Sequence, residues 1–452
     1  MKKGICLFGV TLLLSSCGIY TNYHKADEVP EGLYGEEVAT TSEYNFGSVS
    51  WRELFTDPTL QALIEEGLQN NTDMQAARLR VEQAEATLLT AKLAYLPSFA
   101  LAPQGTIARM DGVTAKSYNL PLTASWQLDL FGGIRNAKKQ AKALLEQSKD
   151  YEQAVQTGLI AGIANTYYTL QMLDAQLAIS ESTEKSWGES VRSTRALMNA
   201  GMANEVAVAQ MEAAHYGVQA SLLSLKEQIN QVENTLSLLL AKSPQTIVRA
   251  KEVSFAAPQV LAAGIPVQML DNRPDVRSAE RALEAAFYNT NAARSAFYPN
   301  ITLSGSAGWT NSAGGAILDT GEFLASALGS LTQPLFAQGK LRAQYKIAKA
   351  RQEEASLAFR QALLNAGAEV NEAMVACQSS REKSELYQKQ VASLENAYRS
   401  TSLLMEHGNT TYLEVLTAQQ SYLTAQLQQV ANRFAEIQSV ISLYQALGGG
   451  SN

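Results

Sequence analysis

The residues whose types and spacing could do chemistry are few, and the clearest chemistry is lipid attachment at Cys17. Met1-Lys2-Lys3, an apolar run from Ile5 to Leu14 and then Ser15-Ser16-Cys17 follow the pattern of a bacterial lipoprotein signal. Cleavage before Cys17 would make it the mature N-terminus, and acyl chains on it would hold the protein at a membrane surface. The alternatives are an ordinary signal peptide with an incidental cysteine and a short membrane anchor.

The other cysteines and the histidines predict neither a metal site nor a catalytic one. Cys6 would leave with the signal peptide, so Cys377 has no partner for an intrachain disulfide bond. The histidines lack the spacing of metal ligands, and they are His24, His215 and His407. The sequence also has no nucleophile elbow and no phosphate-binding loop. We therefore expect no enzyme, no metal, and no cofactor apart from the lipid on Cys17.

Charge and composition argue against a nucleic-acid partner and favour packed helices. The formal net charge is −7, and Lys, Arg, Asp and Glu together make up 17% of the residues. Nucleic-acid-binding domains carry a basic surface, which a mildly acidic composition does not supply. A low charge content with frequent alanine suits helices that pack against other helices on more than one side.

The most informative pattern is an internal repeat. The segment Asp73–Pro97 returns as Asp275–Pro299, a shift of 202 residues. Further matches carry the shift from 202 to 207 along the chain, and they are Leu130-Phe131 with Leu335-Phe336, Gly201 with Gly408, and Leu240 with Leu447. Repeats that cannot bury their apolar faces alone usually stack. We therefore expect a pseudo-symmetric structural protein that builds a ring.

Each repeat contains segments with the alternation of β-strands. In residues 118–131 apolar side chains alternate with polar ones, and residues 301–310 do the same, with one tryptophan on each apolar face. With further segments near 98–108 and 323–336, each chain offers about four strands. Pro121 predicts the beginning of a strand or an edge, because proline cannot donate to a ladder.

Very long helices follow the strands. The stretches Ile134–Asn199 and Lys340–Glu406 are free of proline, and helices of this length would be about 100 Å long. Two return helices carry 4-3 heptad ladders, from Met211 to Leu239 and from Leu416 to Tyr444. A sustained 3.5-residue repeat predicts left-handed coiled coils. His215 falls within the first ladder and is expected to be a seam residue, not a ligand.

These patterns divide the chain into five segments. They are a signal peptide, a lipidated tether, a first repeat, a linker and a second repeat, with the bounds 1–16, 17–50, 51–245, 246–265 and 266–450. Asp57-Pro58 would start the first helix of repeat one, because proline suits the first helical position. This helix would run without interruption to about Tyr95.

The strands suggest a barrel built from several chains. Four strands cannot close a barrel, and bacterial barrels have an even number of at least about eight. Two chains would give a narrow barrel filled by side chains, whereas three would give twelve strands and room for a pore. A soluble β-sandwich is the alternative that periodicity alone leaves open.

Seven motifs, spread over the chain in order, carry a resemblance to one family. They are Asp57-Pro58-Thr59-Leu60, Ser125-Trp126-Gln127-Leu128-Asp129-Leu130-Phe131-Gly132-Gly133, Asn272-Arg273-Pro274-Asp275-Val276, Ala293-Arg294-Ser295-Ala296-Phe297-Tyr298-Pro299, Pro334-Leu335-Phe336, Tyr412-Leu413-Glu414-Val415-Leu416 and Ala446-Leu447-Gly448-Gly449-Gly450. The sequence closely resembles the TolC-like outer-membrane efflux factors, in the OprM/CusC-like, NodT-type lipoprotein branch that serves RND tripartite pumps. The resemblance covers nearly everything after residue 16.

The resemblance implies a mainly α fold with a membrane β-barrel. The protein would be a homotrimer whose 12-stranded β-barrel lies in the outer membrane and continues as a 12-helix α-barrel in the periplasm. It would be the passive, gated exit duct of a tripartite efflux system and would carry small molecules or ions to the exterior. Its partners would be a periplasmic adaptor (a membrane fusion protein) and an inner-membrane RND transporter. Drugs, bile salts, metal ions and secreted peptides all stay open as substrates.

The resemblance also assigns roles to the turns of two long helical hairpins. In the family these tips dock onto the adaptor, which makes Leu197, Gly201, Leu404 and Gly408 candidate contacts. Glycine at such a turn also has a purely structural use, because it takes the left-handed geometry that ends a helix.

A candidate periplasmic gate follows the second turn. In the family the aperture closes where acidic residues crowd the axis, which by position selects Leu413, Glu414 and Thr417. Three copies of Glu414 would form a ring of like charge that favours cations. The family commonly has Asp at the position of Thr417, so a single acidic ring would trap cations more weakly. The alternative is a solvated Glu near a helix N-terminus.

A lipidated periplasmic coiled-coil adaptor or scaffold is the second hypothesis. Adaptors also carry lipidated cysteines and long hairpins. They lack the two-fold internal repeat and the pairs of strands with tryptophan-bearing apolar faces, which favours the exit duct.

Overall fold

The structure, a computed structural model, describes residues 20–24, 46–250, 255, 272–311 and 321–450. Cys17, the predicted signal peptide and most of the predicted tether and linker lie outside these residues. In the part of the chain that the structure describes, no helix is both long enough and apolar enough to span a membrane.

Helices and strands follow one another in the same order in both repeats. After a 3-10 turn at Phe46–Ser48, the first repeat contains α1 (Trp51–Leu54), α2 (Pro58–Asn70), α3 (Thr72–Leu93), β1 (Ser98–Leu101), β2 (Gln104–Met110), β3 (Val113–Leu128), α4 (Gly133–Asn199) and α5 (Glu205–Leu239). The second contains α6 (Pro274–Ser295), β4 (Asn300–Thr310), β5 (Glu322–Thr332), α7 (Lys340–Glu406) and α8 (Tyr412–Ala446). In the described part of the chain the fold is therefore mainly α with one sheet, as the sequence predicts.

The internal repeat reappears in the lengths of the helices. α3 and α6 have 22 residues each, α4 and α7 have 67 each, and α5 and α8 have 35 each. α3 and α6 begin 202 residues apart, whereas the later pairs begin 207 residues apart. The additional five residues therefore enter in the strands and in the connection to the long helix. Both long helices begin and end within one residue of the predicted bounds.

The strands form one antiparallel sheet in which β3 and β4 are central. β3 pairs with β4 on one side and with both β1 and β2 on the other, and β4 pairs with β5. β1 and β2 are thus two pieces of one strand, separated at residues 102–103. Each repeat therefore supplies one antiparallel pair of strand positions, which agrees with the four that the sequence predicts.

The prediction for Pro121 is wrong, because this residue lies inside β3 and not at an end or an edge. β3 begins at Val113 and is paired on both sides. The carbonyl of Pro121 accepts a hydrogen bond from Ala102 N–H in the gap between β1 and β2 (3.1 Å). In an antiparallel strand the N–H and C=O of a residue point to the same side, so the missing donor of Pro121 faces the gap.

One face of the sheet carries large apolar side chains. Leu120 lies opposite Trp309, and Trp126 lies opposite Leu303. The ring of Trp309 meets that of Phe323 edge to face, with 5.4 Å between centroids. All five side chains are exposed in the single chain.

The predicted uninterrupted helix from Pro58 to about Tyr95 is wrong, because Asn71 divides it into α2 and α3. The Asn71 side-chain oxygen accepts hydrogen bonds from the N–H groups of Asp73 (2.9 Å) and Met74 (3.1 Å) and so caps α3. Its amide nitrogen donates to the carbonyl of Leu239, the last residue of α5 (3.0 Å). In repeat two Arg273 donates in the same way to Ala446, the last residue of α8 (3.1 Å).

The described residues form two compact units, each with its own core. One contains residues 79–150 and 277–362 and therefore the sheet. Its α3 and α4 pack through Leu88, Ala141 and Leu145, with Val81, Ala84 and Ala91 around them. The other contains residues 46–78, 151–250 and 363–450 and buries large aromatic side chains, among them Trp51, Phe55, Tyr167, Tyr168 and Phe434.

Arg249 holds the segment after α5 in the second unit. Its guanidinium binds both carboxylate oxygens of Asp174 in α4 (2.5 and 2.8 Å) and Glu233 in α5 (2.6 Å). It also donates to the carbonyl of Ile247 (2.8 Å), and Ile247 N–H donates to Glu233 (3.3 Å). Arg249 and Glu233 are largely buried, whereas the Asp174 side chain is 39% exposed. This ion cluster ties the linker to two helices of repeat one.

Candidate functional site

Two turns, each joining a long helix to its return helix, have the same backbone geometry. In the first, Met202 N–H donates to the carbonyl of Leu197 (2.8 Å) and Gly201 N–H donates to that of Met198 (2.9 Å). Gly201 has a φ of +75°, a conformation that is strained for residues with a Cβ. These bonds form a Schellman motif, which satisfies carbonyls that the end of a helix leaves free.

The second turn repeats this geometry 207 residues later. Asn409 N–H donates to the carbonyl of Leu404 (2.9 Å), and Gly408 has a φ of +74°. The four predicted tip residues therefore occupy equivalent positions in the two turns: Leu197 and Leu404 accept the outer hydrogen bond, while Gly201 and Gly408 take the left-handed conformation. The geometry accounts for their role in the turns, and their contact with an adaptor stays a prediction.

Exposed apolar side chains surround both turns. Met202 is 76% exposed, and Val206, Leu404 and Leu413 are also exposed, whereas Leu197 is half-buried. Exposed apolar surface at the end of a helical hairpin is available for contact with another protein.

The predicted gate residues lie on the first two turns of α8. Leu413 and Glu414 are exposed, and the Glu414 carboxylate accepts a hydrogen bond from the Thr410 hydroxyl. The exposed Thr417 donates its own hydroxyl to the carbonyl of Leu413 (2.8 Å). The partner of Glu414 in this contact is a neutral hydroxyl, so the contact leaves its negative charge uncompensated.

A hydrogen bond that the sequence does not predict joins the two hairpins beside the predicted gate. The hydroxyl of Tyr412, the first residue of α8, donates to the side-chain oxygen of Gln210 in α5 (2.8 Å). Gln210 is exposed and outside the heptad ladder, so nothing in the pattern singles it out. The available signal was Tyr412, which begins one of the motifs of the resemblance.

A second missed feature is a polar cluster among α4, α7 and α8. The buried Gln419 donates to the Ser186 hydroxyl (3.2 Å), which lies 3.4 Å from the hydroxyl of Tyr398. These three residues line a cavity of about 440 Å³. Gln420 is the second position of the 4-3 ladder that begins at Leu416, so the ladder predicts it at this seam, but Gln420 is exposed and Gln419 is buried instead. The only sign of this cluster in the sequence is that a second glutamine, Gln419, stands next to the ladder position Gln420.

His215 and Glu184 on the first hairpin form a pair. His215 lies 2.8 Å from Glu184, which confirms a seam residue with a satisfied ring. The hydrogen bonds that Glu184 accepts from Gln219 and His215 lower its pKa below the ordinary value. Among the described residues, no group of three or more His, Cys, Asp and Glu side chains is placed to bind a metal ion.

Comparison with known proteins gives consistent matches over almost the whole chain. The family model described as Outer membrane efflux protein matches residues 63–242 and 265–449. The cation efflux system protein CusC of Escherichia coli is 29% identical over 450 residues, which are 98% of each chain. The antibiotic efflux pump outer membrane protein ArpC of Pseudomonas putida is 28% identical over 467 residues, with 100% of this chain and 96% of ArpC covered.

The fold agrees with these sequence matches. A crystal structure of CusC, from work on its folding and transmembrane channel formation, matches with a TM-score of 0.87 at 28% identity. The match covers 96% of this chain and 100% of the CusC chain. The similar proteins are channels and pump components, which favours the exit duct over the adaptor hypothesis and over an enzyme.

Proposed function

This chain belongs to the outer membrane efflux protein family, and we propose that three copies of it form the gated exit duct of a tripartite efflux pump. The protein is an outer-membrane transport component and catalyses no reaction. The duct is passive, since it offers a path from the periplasm to the exterior while the inner-membrane partner supplies the energy. The finer features of this proposal are the trimer, the lipid anchor, the gate and the adaptor contact.

The sheet supports a ring of several copies more directly than any other observation. The strand made of β1 and β2 pairs only with β3, and β5 pairs only with β4, among the described residues. The two outer strands thus leave backbone N–H and C=O groups without a partner in the sheet. In lipid such groups must be satisfied by protein, and pairing β5 of one copy with the β1–β2 strand of the next satisfies them. Three copies with four strand positions each give twelve strands.

The apolar face of the sheet supports contact of that ring with lipid. Trp126, Trp309 and Phe323 lie on this face and are exposed in the single chain. Tryptophan and other aromatic side chains are typical of the outward face of outer-membrane barrels, near the membrane–water interfaces. The face would thus be buried in the bilayer when the ring forms.

The hairpin turns are the proposed docking site for the periplasmic adaptor. The two turns share one geometry, so a ring of three copies would present six equivalent tips. Leu404 and Met202 offer exposed apolar side chains there, while Gly201 and Gly408 keep the turns compact. The adaptor would in turn connect the duct to an inner-membrane transporter of the RND type.

The gate proposal rests on Glu414 and its neighbours. Glu414 is exposed at the start of α8, and three copies around one axis would bring three carboxylates together. A ring of carboxylates attracts cations and repels anions. We propose that Leu413, Glu414 and Thr417 line this constriction.

The substrate is proposed only as a class, small molecules or ions. CusC is named for cations and ArpC for antibiotics, and this chain is 29% and 28% identical to them. Ducts of one family thus serve different cargoes, so their selectivity is expected to come from the partner transporter.

Membrane fractionation together with native mass measurement tests the proposal. The wild-type protein should be found in the outer membrane, carry acyl chains and have the mass of three copies in mild detergent. Cys17→Ser should remove the acyl chains but leave the protein in the membrane after an alkaline wash, because the barrel holds it. Release of Cys17→Ser as a soluble monomer would contradict the duct and support the lipidated adaptor.

A further inference from the structure

The two repeats of one chain meet through a polar face of α6 that lies on α4. Arg277 in α6 forms an ion pair with Asp150 in α4 (2.9 Å). Further along, the ammonium group of Lys139 lies 5.2 Å from the centre of the Tyr288 ring. We name this set of contacts the internal seam.

The internal seam ends in an aromatic stack beside the sheet. Phe131, between β3 and α4, stacks on Tyr298, just after α6, with 5.1 Å between centroids and 11° between planes. Gly133 and Ser295 approach so closely that a Cβ on Gly133 would lie 3.0 Å from the Ser295 hydroxyl. The contact therefore runs from the first turn of α6 to its end.

The repeat identifies which residues would form the same seam at the outer ends of the chain. Subtracting 202 converts the α6 face into an α3 face, and adding 207 converts the α4 face into an α7 face. Phe131 lies before α4, where the shift is 205, so its equivalent is Phe336. On α3 the positions of Ser295 and Tyr298 are held by Leu93 and Leu96, and those of Arg277 and Tyr288 by Gln75 and Ala86. Arg281 and Asn291, which lie on α6 between these residues, correspond to Leu79 and Leu89. On the other side the positions of Asp150 and Phe131 are held by Leu357 and Phe336.

The apolar side chains at these equivalent positions are exposed. Leu79, Leu89, Leu93 and Leu96 are each more than half exposed, on the side of α3 that faces away from its core contact with α4. Leu357 is 60% exposed and Phe336 is 87% exposed, whereas its counterpart Phe131 is half-buried in the internal stack. A covered face in one repeat thus corresponds to an uncovered apolar face in the other.

From this difference we propose that Phe336 and Leu357 of one copy pack on Leu79, Leu89, Leu93 and Leu96 of a second copy. We name this contact the leucine seam, and it rests on the proposed trimer. It closes the ring by repeating the internal geometry between chains. Phe336 lies on Leu96 of the neighbour, as Phe131 lies on Tyr298 within the chain.

The change from polar to apolar residues has a physical reason. The internal seam forms within one chain, where the partners are held close and can be polar. The contact between copies must offset the entropy of association, and burial of large apolar side chains such as Leu and Phe supplies the favourable free energy for this.

The difference also fixes the order of the repeats in the ring. If repeat one packed on repeat one of another copy, Asp150 would face Gln75, the equivalent of Arg277, and this largely buried carboxylate would lose its ion-pair partner. That arrangement is therefore disfavoured, and repeats one and two alternate.

Thiol cross-linking tests the contact directly. The variant Leu96→Cys with Phe336→Cys, treated with a short bismaleimide, should give covalent dimers and trimers on a denaturing gel. Each single variant is the control, and it also accounts for the native Cys377, which is buried. The matched internal pair, Phe131→Cys with Tyr298→Cys, should cross-link within one chain and give no ladder.

Exchange of charges gives a second test that does not depend on cross-linking. Leu357→Asp should lower the temperature at which the trimer dissociates in detergent. Adding Gln75→Arg should restore much of it, because residues 357 and 75 are the equivalents of Asp150 and Arg277, which form the internal ion pair. Gln75→Arg combined with wild-type Leu357 should not stabilise the trimer.

The outcomes distinguish a failure of the leucine seam from a failure of the proposed function. Cross-linked trimers together with rescue by the charge pair support the leucine seam. A trimer by native mass without cross-links or rescue overturns the seam and leaves the duct intact. If the wild-type protein has the mass of a monomer in mild detergent, that result contradicts the trimer itself.

Discussion

Removal of the Arg249 side-chain charge should loosen the segment that follows α5. In Arg249→Met the Glu233 carboxylate, whose side chain is only 10% exposed, keeps Ile247 N–H as a partner but loses its counter-ion. Breaking a buried ion pair in this way costs about 3–5 kcal/mol. The Asp174 carboxylate is 39% exposed, so water screens it and its share is at most about 1 kcal/mol. We therefore expect a cost of about 3 kcal/mol, most of it from Glu233.

Amide hydrogen exchange measures this loss of stability at the residues that the Arg249 ion cluster holds in place. The N–H of Ile247 donates to Glu233, and the N–H of Ala250 donates to the Tyr167 hydroxyl (3.1 Å). A loss of about 3 kcal/mol corresponds to roughly a hundredfold faster exchange in a peptide that covers residues 244–250.

Two control variants isolate the buried charge as the cause. Adding Glu233→Gln to Arg249→Met removes the unpaired carboxylate and should recover a large part of the protection. Arg399→Met breaks only an exposed pair with Glu395 and should cost less than about 0.5 kcal/mol. Unchanged exchange at residues 247–250 in Arg249→Met would refute the assignment of the cluster as the anchor of this segment.

Three further changes test the turns, the gate and the pH dependence. Gly408→Ala places a Cβ on a residue with a φ of +74°. The second turn should therefore lose about 1 kcal/mol of stability, which amide hydrogen exchange in the turn measures, and Gly408→Asn should lose less stability. Glu414→Ala should reduce cation selectivity in single-channel recordings, whereas Glu205→Ala, in the first turn of the other return helix, should leave it unchanged. Burial raises the pKa of Asp275, but its hydrogen-bonded ion pair with Arg273 outweighs burial and lowers it. Its stabilising effect is therefore present above the unfolded pKa of about 3.9 and lost as the pH falls through the lower folded value, and Asp275→Asn should flatten thermal stability in that acidic range.

The long helices and the repeat could be predicted from the sequence because they depend on local patterns. Proline-free stretches with apolar residues at helical spacing define α4 and α7, and their predicted bounds are accurate to one residue. The same holds for the two turns, since glycine at equivalent positions of both repeats marks the left-handed residue.

Other features could not be predicted, because contacts distant in the sequence decide them. Asn71 breaks the first helix by bonding the carbonyl of Leu239, 168 residues away. Pro121 fits inside a strand only because its partner strand is interrupted opposite to it. Gln419 replaces Gln420 at the seam because it reaches Ser186 in another helix. None of these contacts leaves a periodic signal in the neighbouring residues.

Channel recording in a planar lipid bilayer tests the central claim most directly. Purified, acylated wild-type protein is added to one side, and the current is recorded at fixed voltage with potassium chloride as the only salt. An exit duct predicts discrete single-channel steps that appear without any partner protein and prefer cations. Absence of steps from protein that carries its acyl chains and has the mass of three copies would contradict the duct.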